Sequence, residues 1–294
     1  MSYEKYQIRS FKSAAKLWEA LSPTQSLFAR PYNVIFRGQA NSSWKLIPTV
    51  LRQADNNPAS VIWGQGVKAE EQVFTEIRLL ELFAEYCDQV GIRIPGDSPK
   101  FRSEILSSQS QDLYIRQPEI WPNPDLIEVM AMAQHHGIPT RLLDWTRQPY
   151  VAAYFAATGA LANAKTWKRG DKLAVWALNI ELINLYRRVK VVNIPGAVTP
   201  HLSAQSGLFT VHPHNGQRGS EFEVSGLEEE FKSIPNTPLL CLTLPVKESP
   251  ALYELCNRSG INAATIYRSI DGAGRAVLDN LNAWVVKETL KKTS

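Results

Sequence analysis

The sequence predicts an α+β fold, a single domain in which a helix-rich N-terminal half packs on a mixed or antiparallel sheet built largely from the C-terminal half. Apolar residues recur at helical spacing through the first half, and short apolar runs typical of strands follow Lys172. Helices and strands do not alternate regularly, so a doubly wound parallel sheet is not expected. The 294 residues, 44% hydrophobic and 20% charged, have a globular composition that excludes a wholly disordered chain.

Helices are predicted where apolar residues recur every three or four positions. The clearest covers residues 68–90 and is stopped by Gly91. Ser10 is the expected N-cap of a first helix, and Asn123 followed by Pro124 is the expected start of a later one. The helices expected from these patterns span residues 11–21, 68–90, 124–136, 150–162, 249–259 and 272–291.

Strands are predicted in short β-branched or apolar runs bounded by glycine or polar residues. The first, Asn33 to Phe36, leads into Arg37, and residues 140–145 are short and partly extended. Residues 97–121 mix Ser, Gln and apolar side chains, and they are expected to form a lid or a mobile crossing segment. Further strands are expected at residues 173–178, 189–194, 209–212 and 239–244.

Three features of the sequence limit the class of protein: its N-terminus, its cysteines and its charge. The N-terminus has no apolar segment, so no secretory signal is expected, and no apolar run approaches the roughly 20 residues that span a bilayer. Cys87, Cys241 and Cys256 are odd in number and far apart, which predicts buried thiols in a reducing cytoplasm. The excess of 32 Lys and Arg over 28 Asp and Glu is too small to indicate nucleic-acid binding by itself.

The first polar cluster is Phe36-Arg37-Gly38-Gln39. An arginine at the end of a short strand lies at the rim of a sheet, and its planar fork suits phosphate or carboxylate. Gly38 allows a ligand to approach the backbone. The alternative is that Arg37 satisfies nearby carbonyl groups or pairs with an acid.

The second cluster spans residues 133–146. If residues 140–145 are extended, Thr140 and Asp144 share one face, and Arg141 faces the other way with Trp145, so Arg141 and Asp144 are not expected to pair. Asp144 or Thr146 is expected to cap the next helix. The alternative is that this cap region also binds an anionic ligand, because helix N-termini favour anions.

The histidines do not predict a metal site. His135 and His136 are adjacent, so on a helix they point about 100° apart and do not easily share one metal. His212 and His214 would share one face if this segment were a strand, but no acid or cysteine stands at a familiar ligand interval. The sequence also lacks a Walker loop, a nucleophile elbow and a dinucleotide-binding glycine fingerprint.

A third cluster, residues 203–213, reads as a turn that leads into a strand. Gln205 can donate and accept hydrogen bonds, so it could orient an amide or a sugar hydroxyl. The alternative is a glutamine that stabilises the turn.

Together these clusters resemble the FRG domain family, which is named for its Phe-Arg-Gly motif. The resemblance spans about residues 30–280, so residues 1–294 are expected to form one FRG domain of a bacterial or phage protein. Residues 266–272 depart from the Leu-Phe-Pro-Asp-Leu-Asp-Gly pattern usual in the family. The matching stretches are Phe36-Arg37-Gly38-Gln39 with Trp44, Leu46, Pro48 and Arg52; residues 134–137, 139–146, 149 and 153–156; and residues 204–209, 260–261 and 271–272.

A more distant resemblance is to arginine-class ADP-ribosyltransferases. It implies that Arg37 holds a pyrophosphate, that a hydroxyl of the segment 144–146 holds the nicotinamide ribose, and that a late Gln205 or Glu223 stabilises an oxocarbenium-like centre. It also implies NAD as the cofactor or substrate, with a macromolecular acceptor that the sequence does not name.

The leading hypothesis is therefore an enzyme that cleaves NAD or transfers ADP-ribose in conflict between bacteria and phages. The rival hypothesis is a non-catalytic module that binds a nucleotide or a nucleic acid, and a third is a purely structural polar network. No membrane partner is expected. The catalytic candidates are Arg37, Asp144 and Gln205, and the ligand-binding candidates are Gly38, Gln39, His135, His136, Thr140, Arg141, Trp145 and Thr146.

Overall fold

The computed structural model describes residues 4–28, 33–52, 58–64, 66–107, 109–181, 189–193, 207–232, 234 and 236–292. Within these ranges it confirms the α+β fold, because seven strands form one mixed sheet that is flanked by helices. Neighbouring strands are antiparallel, except that β1 and β7 pair in parallel at one edge. The strands are β1 Gln7–Ser10, β2 Val34–Gln39, β3 Leu142–Thr146, β4 Lys172–Asn179, β5 Lys190–Val192, β6 Gly207–Val211 and β7 Leu239–Pro245, in the order β1-β7-β4-β2-β3-β6-β5.

The helices agree in position with most of the predicted ones. Residues 97–121, expected to be a lid or a crossing segment, form a run of short helical turns that includes a π-helix at Arg102–Leu106. The α-helices are α1 Ala14–Ala20, α2 Pro58–Trp63, α3 Ala69–Gln89, α4 Pro99–Phe101, α5 Asp112–Arg116, α6 Ile127–His135, α7 Pro149–Ala162, α8 Ser249–Arg258, α9 Ala263–Tyr267 and α10 Ile270–Lys292.

The sequence did not predict β1, and its assignment of Ser10 as a helix N-cap is wrong. Ser10 is the last residue of β1, and its hydroxyl lies 2.9 Å from that of Thr243 in β7. The amide of Phe11 continues the pairing with β7 by donating to the Thr243 carbonyl at 2.8 Å. The helix α1 therefore begins only at Ala14. All residues of β1 are exposed at the sheet edge, and such a strand has no buried face to impose an apolar alternation.

One face of the sheet carries two groups of helices. α7 and α8 pack with the apolar side chains of β4 and β7, such as Val175 and Leu242. α3 and α6 pack with those of β3 and β6, such as Leu142 and Phe209. Phe36, which packs with the group of α7 and α8, is paired across β2 and β3 with Thr146, so the two side chains lie on the same face of the sheet. Thr146 is four residues from Leu142 in the same strand and shares its face, so both groups of helices lie on one side of the sheet. A gap between the two groups of helices follows from this arrangement.

In the described ranges, the opposite face of the sheet is covered without long helices. Alternate side chains of the central strands, such as Leu143 and Trp176, form a separate core with Leu46, Leu227 and Phe231. Leu227 and Phe231 come from a short 3-10 turn, and Leu46 comes from the segment after β2. Both faces of the central strands are therefore buried, which explains why these strands read as continuous apolar runs.

The three cysteines are buried thiols, as the sequence predicts. Cys87, Cys241 and Cys256 are free and buried, and burial raises the pKa of Cys241 and of Cys256 to about 12. None of the helices in the described ranges combines the length and the apolar character that crossing a bilayer requires.

Candidate functional site

A cleft of about 470 Å³ opens in the gap between α6 and α7 on the helical face of the sheet. Residues of β2, β3 and β6 form its floor, and the corner between α9 and α10 forms part of its rim. Its lining combines charged, amide and aromatic side chains, which suits an organic ligand with both charge and a planar ring. The lining residues are Phe36, Arg37, Gly38, Ala131, Gln134, His135, Asp144, Trp145, Thr146, Ala152, Phe155, Phe209, Tyr267 and Arg275.

Gly38 lets α7 approach β2 closely beside the cleft. A Cβ at this position would lie 2.0 Å from the Ala152 carbonyl oxygen and 2.6 Å from the Ala156 amide nitrogen, both of which are backbone atoms of α7. The small alanine side chains of α7 permit the same approach from the helix. Gly38 lines the cleft, but the contact that requires a glycine is with α7.

Arg37 lies where β2 and β3 separate. These strands pair at Phe36 and Thr146, and beyond that pair Arg37 Nη1 donates to the Asp144 carbonyl at 2.7 Å and lies 3.6 Å from Asp144 Oδ2. The side chain of Arg37 is 13% exposed, and its buried Nε has no hydrogen-bond partner among the described residues. Burial lowers the pKa of Arg37, an effect that Asp144 opposes and the nearby charge of Arg52 adds to. Arg37 thus holds an unused donor beside the cleft, where an anionic oxygen would satisfy it.

Asp144 is oriented by Gln134 of α6. Gln134 Nε2 donates to Asp144 Oδ1 at 2.7 Å, and Gln134 Oε1 accepts from the hydroxyl of Thr140. Thr140 is buried behind the lining, whereas the side chain of Asp144 is 62% exposed. The carboxylate of Asp144 is therefore fixed in position and still accessible from the cleft. Gln134 belongs to the recognised motif, although the sequence alone did not single it out as a site residue.

Tyr267 and Arg275 are lining residues that sequence reasoning missed. The Arg275 guanidinium lies 5.0 Å from the centroid of the Tyr267 ring, within the range of a cation–π interaction. Burial raises the pKa of Tyr267, an effect that Arg275 opposes and the charges of Asp279 and Asp144 reinforce. No local pattern connects these residues to β3, and the one signal in the sequence was the departure of residues 266–272 from the family pattern.

Arg141, expected to bind the ligand, does not line the cleft. It is fully buried and forms a bidentate ion pair with Glu76 of α3, with Nε to Oε2 at 2.7 Å and Nη2 to Oε1 at 2.5 Å. It also donates to the His212 carbonyl at 3.2 Å and lies 3.1 Å from His214 Nδ1. As the strand alternation predicted, Arg141 does not pair with Asp144. Its guanidinium joins α3 to β3 and to the segment after β6.

Comparison with known families decides the classification. The model of the FRG domain matches residues 32–165. The chain contains an FRG domain. A search of curated proteins and of solved structures finds no match to this sequence.

The matched range of the FRG domain supplies most of the cleft. β2, α6, β3 and α7 all fall within residues 32–165, and so do Arg37 and Asp144. Phe209, Tyr267 and Arg275 lie beyond the matched range, on β6 and at the corner of α9 and α10. Residues outside the matched range therefore complete the lining of the cleft. That one FRG domain spans residues 1–294 stays a prediction.

Gln39 and Trp145 of the FRG domain have their side chains buried rather than presented to a ligand. Gln39 Oε1 accepts from Trp176 Nε1 at 2.6 Å, and Trp145 Nε1 donates to Thr210 Oγ1 at 2.9 Å. Trp145 packs in the core of the opposite sheet face. Trp145 therefore borders the cleft while its indole contributes to that core, and Gln39 does not line the cleft.

His135 and His136 end α6 at the protein surface. His135 lines the cleft, whereas His136 is the C-cap residue and stacks against Phe83 with ring centroids 6.2 Å apart. The two rings are steeply inclined, at 84°. Within the part of the chain that the structure describes, no three His, Cys, Asp or Glu side chains come together in an arrangement that could hold a metal ion.

Thr146 lies at the end of β3 and begins the turn into α7. Its Oγ1 accepts from the amide of Gln148 at 3.0 Å, and Gln148 is the N-cap residue of α7. Thr146 is buried on the cleft floor, and neither Thr146 nor Asp144 is the N-cap residue itself. Gln205, the remaining catalytic candidate, lies outside the described residues.

Proposed function

We propose that the FRG cleft binds a nucleotide-like ligand and that NAD is its substrate, cleaved at the bond between nicotinamide and ribose. The observation that carries this proposal is the meeting of Arg37 and Asp144, 107 positions apart in the chain, at one cleft with aromatic side chains around it. The ordered resemblance to arginine-class ADP-ribosyltransferases supports the same reaction.

The roles follow from the chemistry of the side chains. The unused Nε of Arg37 suits a phosphate oxygen, and the ring of Phe155 suits a planar base. When the glycosidic bond breaks, its electron pair leaves with nicotinamide, and the Asp144 carboxylate stabilises the positive charge that develops on the ribose. The oxygen of water or of an acceptor then bonds to the anomeric carbon, and its proton passes to solvent.

Binding without cleavage is the second candidate function, and the environment of Asp144 favours it. One carboxylate oxygen already accepts from Gln134, and the other lies 3.6 Å from Arg37. A carboxylate that is neutralised in this way stabilises a developing cation less effectively than a free one. Under this alternative the cleft recognises a nucleotide without changing it.

Nicotinamide release separates the two functions. The purified protein is incubated with NAD, alone and with a bacterial protein extract as acceptor, and nicotinamide is measured by chromatography. We expect Arg37→Ala and Asp144→Asn each to lower the rate by about 10²-fold or more, the usual effect of removing one electrostatic contact to a transition state. Arg258→Ala, which removes an arginine with a side chain 75% exposed on α8, is the matched control and should retain the rate.

Melting temperatures complete the experiment, because a specific ligand stabilises the folded state by mass action. A rise in Tm with NAD or ADP-ribose but no nicotinamide release would favour the binding function. Neither release nor a rise in Tm with NAD, ADP-ribose or AMP would refute both functions.

A further inference from the structure

Two arginines line the cleft, and they differ in their partners. Arg37 lies beside the carboxylate of Asp144, whereas none of the described carboxylates is within ion-pair distance of Arg275. The Arg275 guanidinium instead faces the ring of Tyr267. Arg37 therefore has a neighbouring carboxylate, whereas Arg275 has no ion-pair partner among the described residues. The charged side chains of the lining are two arginines and Asp144, so with His135 neutral they sum to a net positive charge.

Close packing fixes the corner that carries this second arginine. A Cβ on Gly272 would lie 2.9 Å from the Ala263 carbonyl oxygen and 2.9 Å from the Tyr267 Cβ, so α9 and α10 are in direct contact. One turn after the arginine, Asp279 accepts a hydrogen bond from the Tyr154 hydroxyl of α7 at 2.5 Å. α10 is thus tied to α7, the helix that forms one wall of the cleft, and this contact limits the movement of Arg275 relative to the floor.

We propose that Arg275, which lies beside the ring of Tyr267, binds a second anionic group of the ligand, so that the cleft selects a diphosphate-bridged nucleotide over a monophosphate. This inference rests on the proposed function and names the ligand class of the same site. The unused Nε of Arg37 binds one phosphate oxygen, and the guanidinium edge of Arg275 binds an oxygen of the next phosphate. A guanidinium carries several N–H donors in a fixed planar fork, so Arg275 can contact the Tyr267 side chain and still offer donors to a phosphate, which the point charge of a lysine does not reproduce.

Calorimetric titration with ADP-ribose, AMP, inorganic pyrophosphate and inorganic phosphate tests the selection. We expect Arg275→Ala to weaken ADP-ribose and pyrophosphate by about 10-fold or more, the loss of one charge-assisted hydrogen bond, and to leave AMP and phosphate little changed. Arg275→Lys should recover only part of the loss, because an ammonium group lacks the planar fork of a guanidinium. Arg258→Ala is the matched control, and the Tm of each variant verifies folding.

The possible outcomes distinguish this inference from the function on which it rests. Nucleotide binding that Arg275→Ala leaves unchanged, or weakens equally for monophosphates and diphosphates, would overturn the inference alone. Pyrophosphate binding that depends on Arg275, without binding of either nucleotide, would support the role of Arg275 in binding a second phosphate and overturn the proposed function. Failure of the wild type to bind any of the four ligands would overturn both.

Discussion

At the scale of single residues, the buried pair of Arg141 and Glu76 shows how a polar motif can serve the fold. Glu76 also accepts from Trp121 Nε1 and from Gln72 Nε2, each at 2.8 Å, so its carboxylate is fully supplied with donors. A charge this deeply buried is stable only with such partners. Arg141 is therefore needed to neutralise the Glu76 carboxylate of α3. The order of residues along the chain does not reveal this role.

Removing this arginine should destabilise the protein strongly. We expect Arg141→Ala to lower the free energy of unfolding by about 3–5 kcal/mol, because it leaves the Glu76 carboxylate buried without its counter-charge. Urea denaturation measures the change. Arg116→Ala, which breaks an exposed ion pair with Asp112 one helical turn away, is the control and should stay within about 0.5 kcal/mol. Equal effects of the two variants would contradict this account.

At the scale of elements, the contact between β2 and α7 sets the floor of the cleft. The strand reads Val-Ile-Phe-Arg-Gly-Gln, and its glycine stands where the backbone of α7 comes closest. The helix itself is rich in alanine and almost uniformly apolar, so its sequence does not mark one packing face. The packing of β2 against α7 is consequently determined by tertiary contacts rather than by the sequence of the helix. The absence of a side chain at Gly38 permits this packing.

Two glycine substitutions should change stability in opposite directions. We expect Gly38→Ala to destabilise the protein by about 1–3 kcal/mol or more, since the added methyl group overlaps the backbone of α7. Gly274→Ala should stabilise it by up to about 1 kcal/mol, because a Cβ there meets no atom within 4 Å and alanine favours the helix. Denaturation curves of both variants provide the measurement, and a Gly38→Ala protein as stable as the wild type would exclude the steric explanation.

At the scale of the whole molecule, the segment after β6 links the stability of the fold to pH. His214 is buried, stacks on Phe222 with ring centroids 4.5 Å apart, and accepts from Arg141 through Nδ1. Burial, together with the charges of Arg141 and His212, lowers the pKa of His214 from 6.5 to about 2. The folded state therefore holds this imidazole neutral at every pH between these values.

The sign of the pH effect follows from the lowered pKa. Below pH 6.5 the imidazole of His214 is protonated in the unfolded chain but not in the folded chain. The free energy of unfolding therefore has its full value above pH 6.5 and falls as the pH decreases. We expect this residue to contribute a loss of up to about 1.4 kcal/mol per pH unit on acidification. Urea denaturation across this range, for the wild type and for His214→Gln, isolates the contribution, and identical slopes in the two proteins would refute it.

The elements that the sequence predicted well are those with a local signal. The helix at 69–89 was expected at 68–90, because apolar residues repeat along it and a glycine follows it. β4 and β7 were recognised as buried runs. β1 was missed because an exposed edge strand needs no apolar pattern, and its pairing with β7 joins residues more than 200 positions apart.

By itself, the sequence determined the fold class, the presence of an FRG domain, the buried thiols and the stretches in which polar side chains concentrate. Each of these depends on composition or on short-range spacing. Only the tertiary structure decided which polar residues share a cleft. It brought Asp144 to Arg37, turned Arg141 away to Glu76, and added Tyr267 and Arg275 from the far end of the chain. The physical reason is that strand pairing and helix packing depend on shape and charge across long separations, which no local pattern of residues encodes.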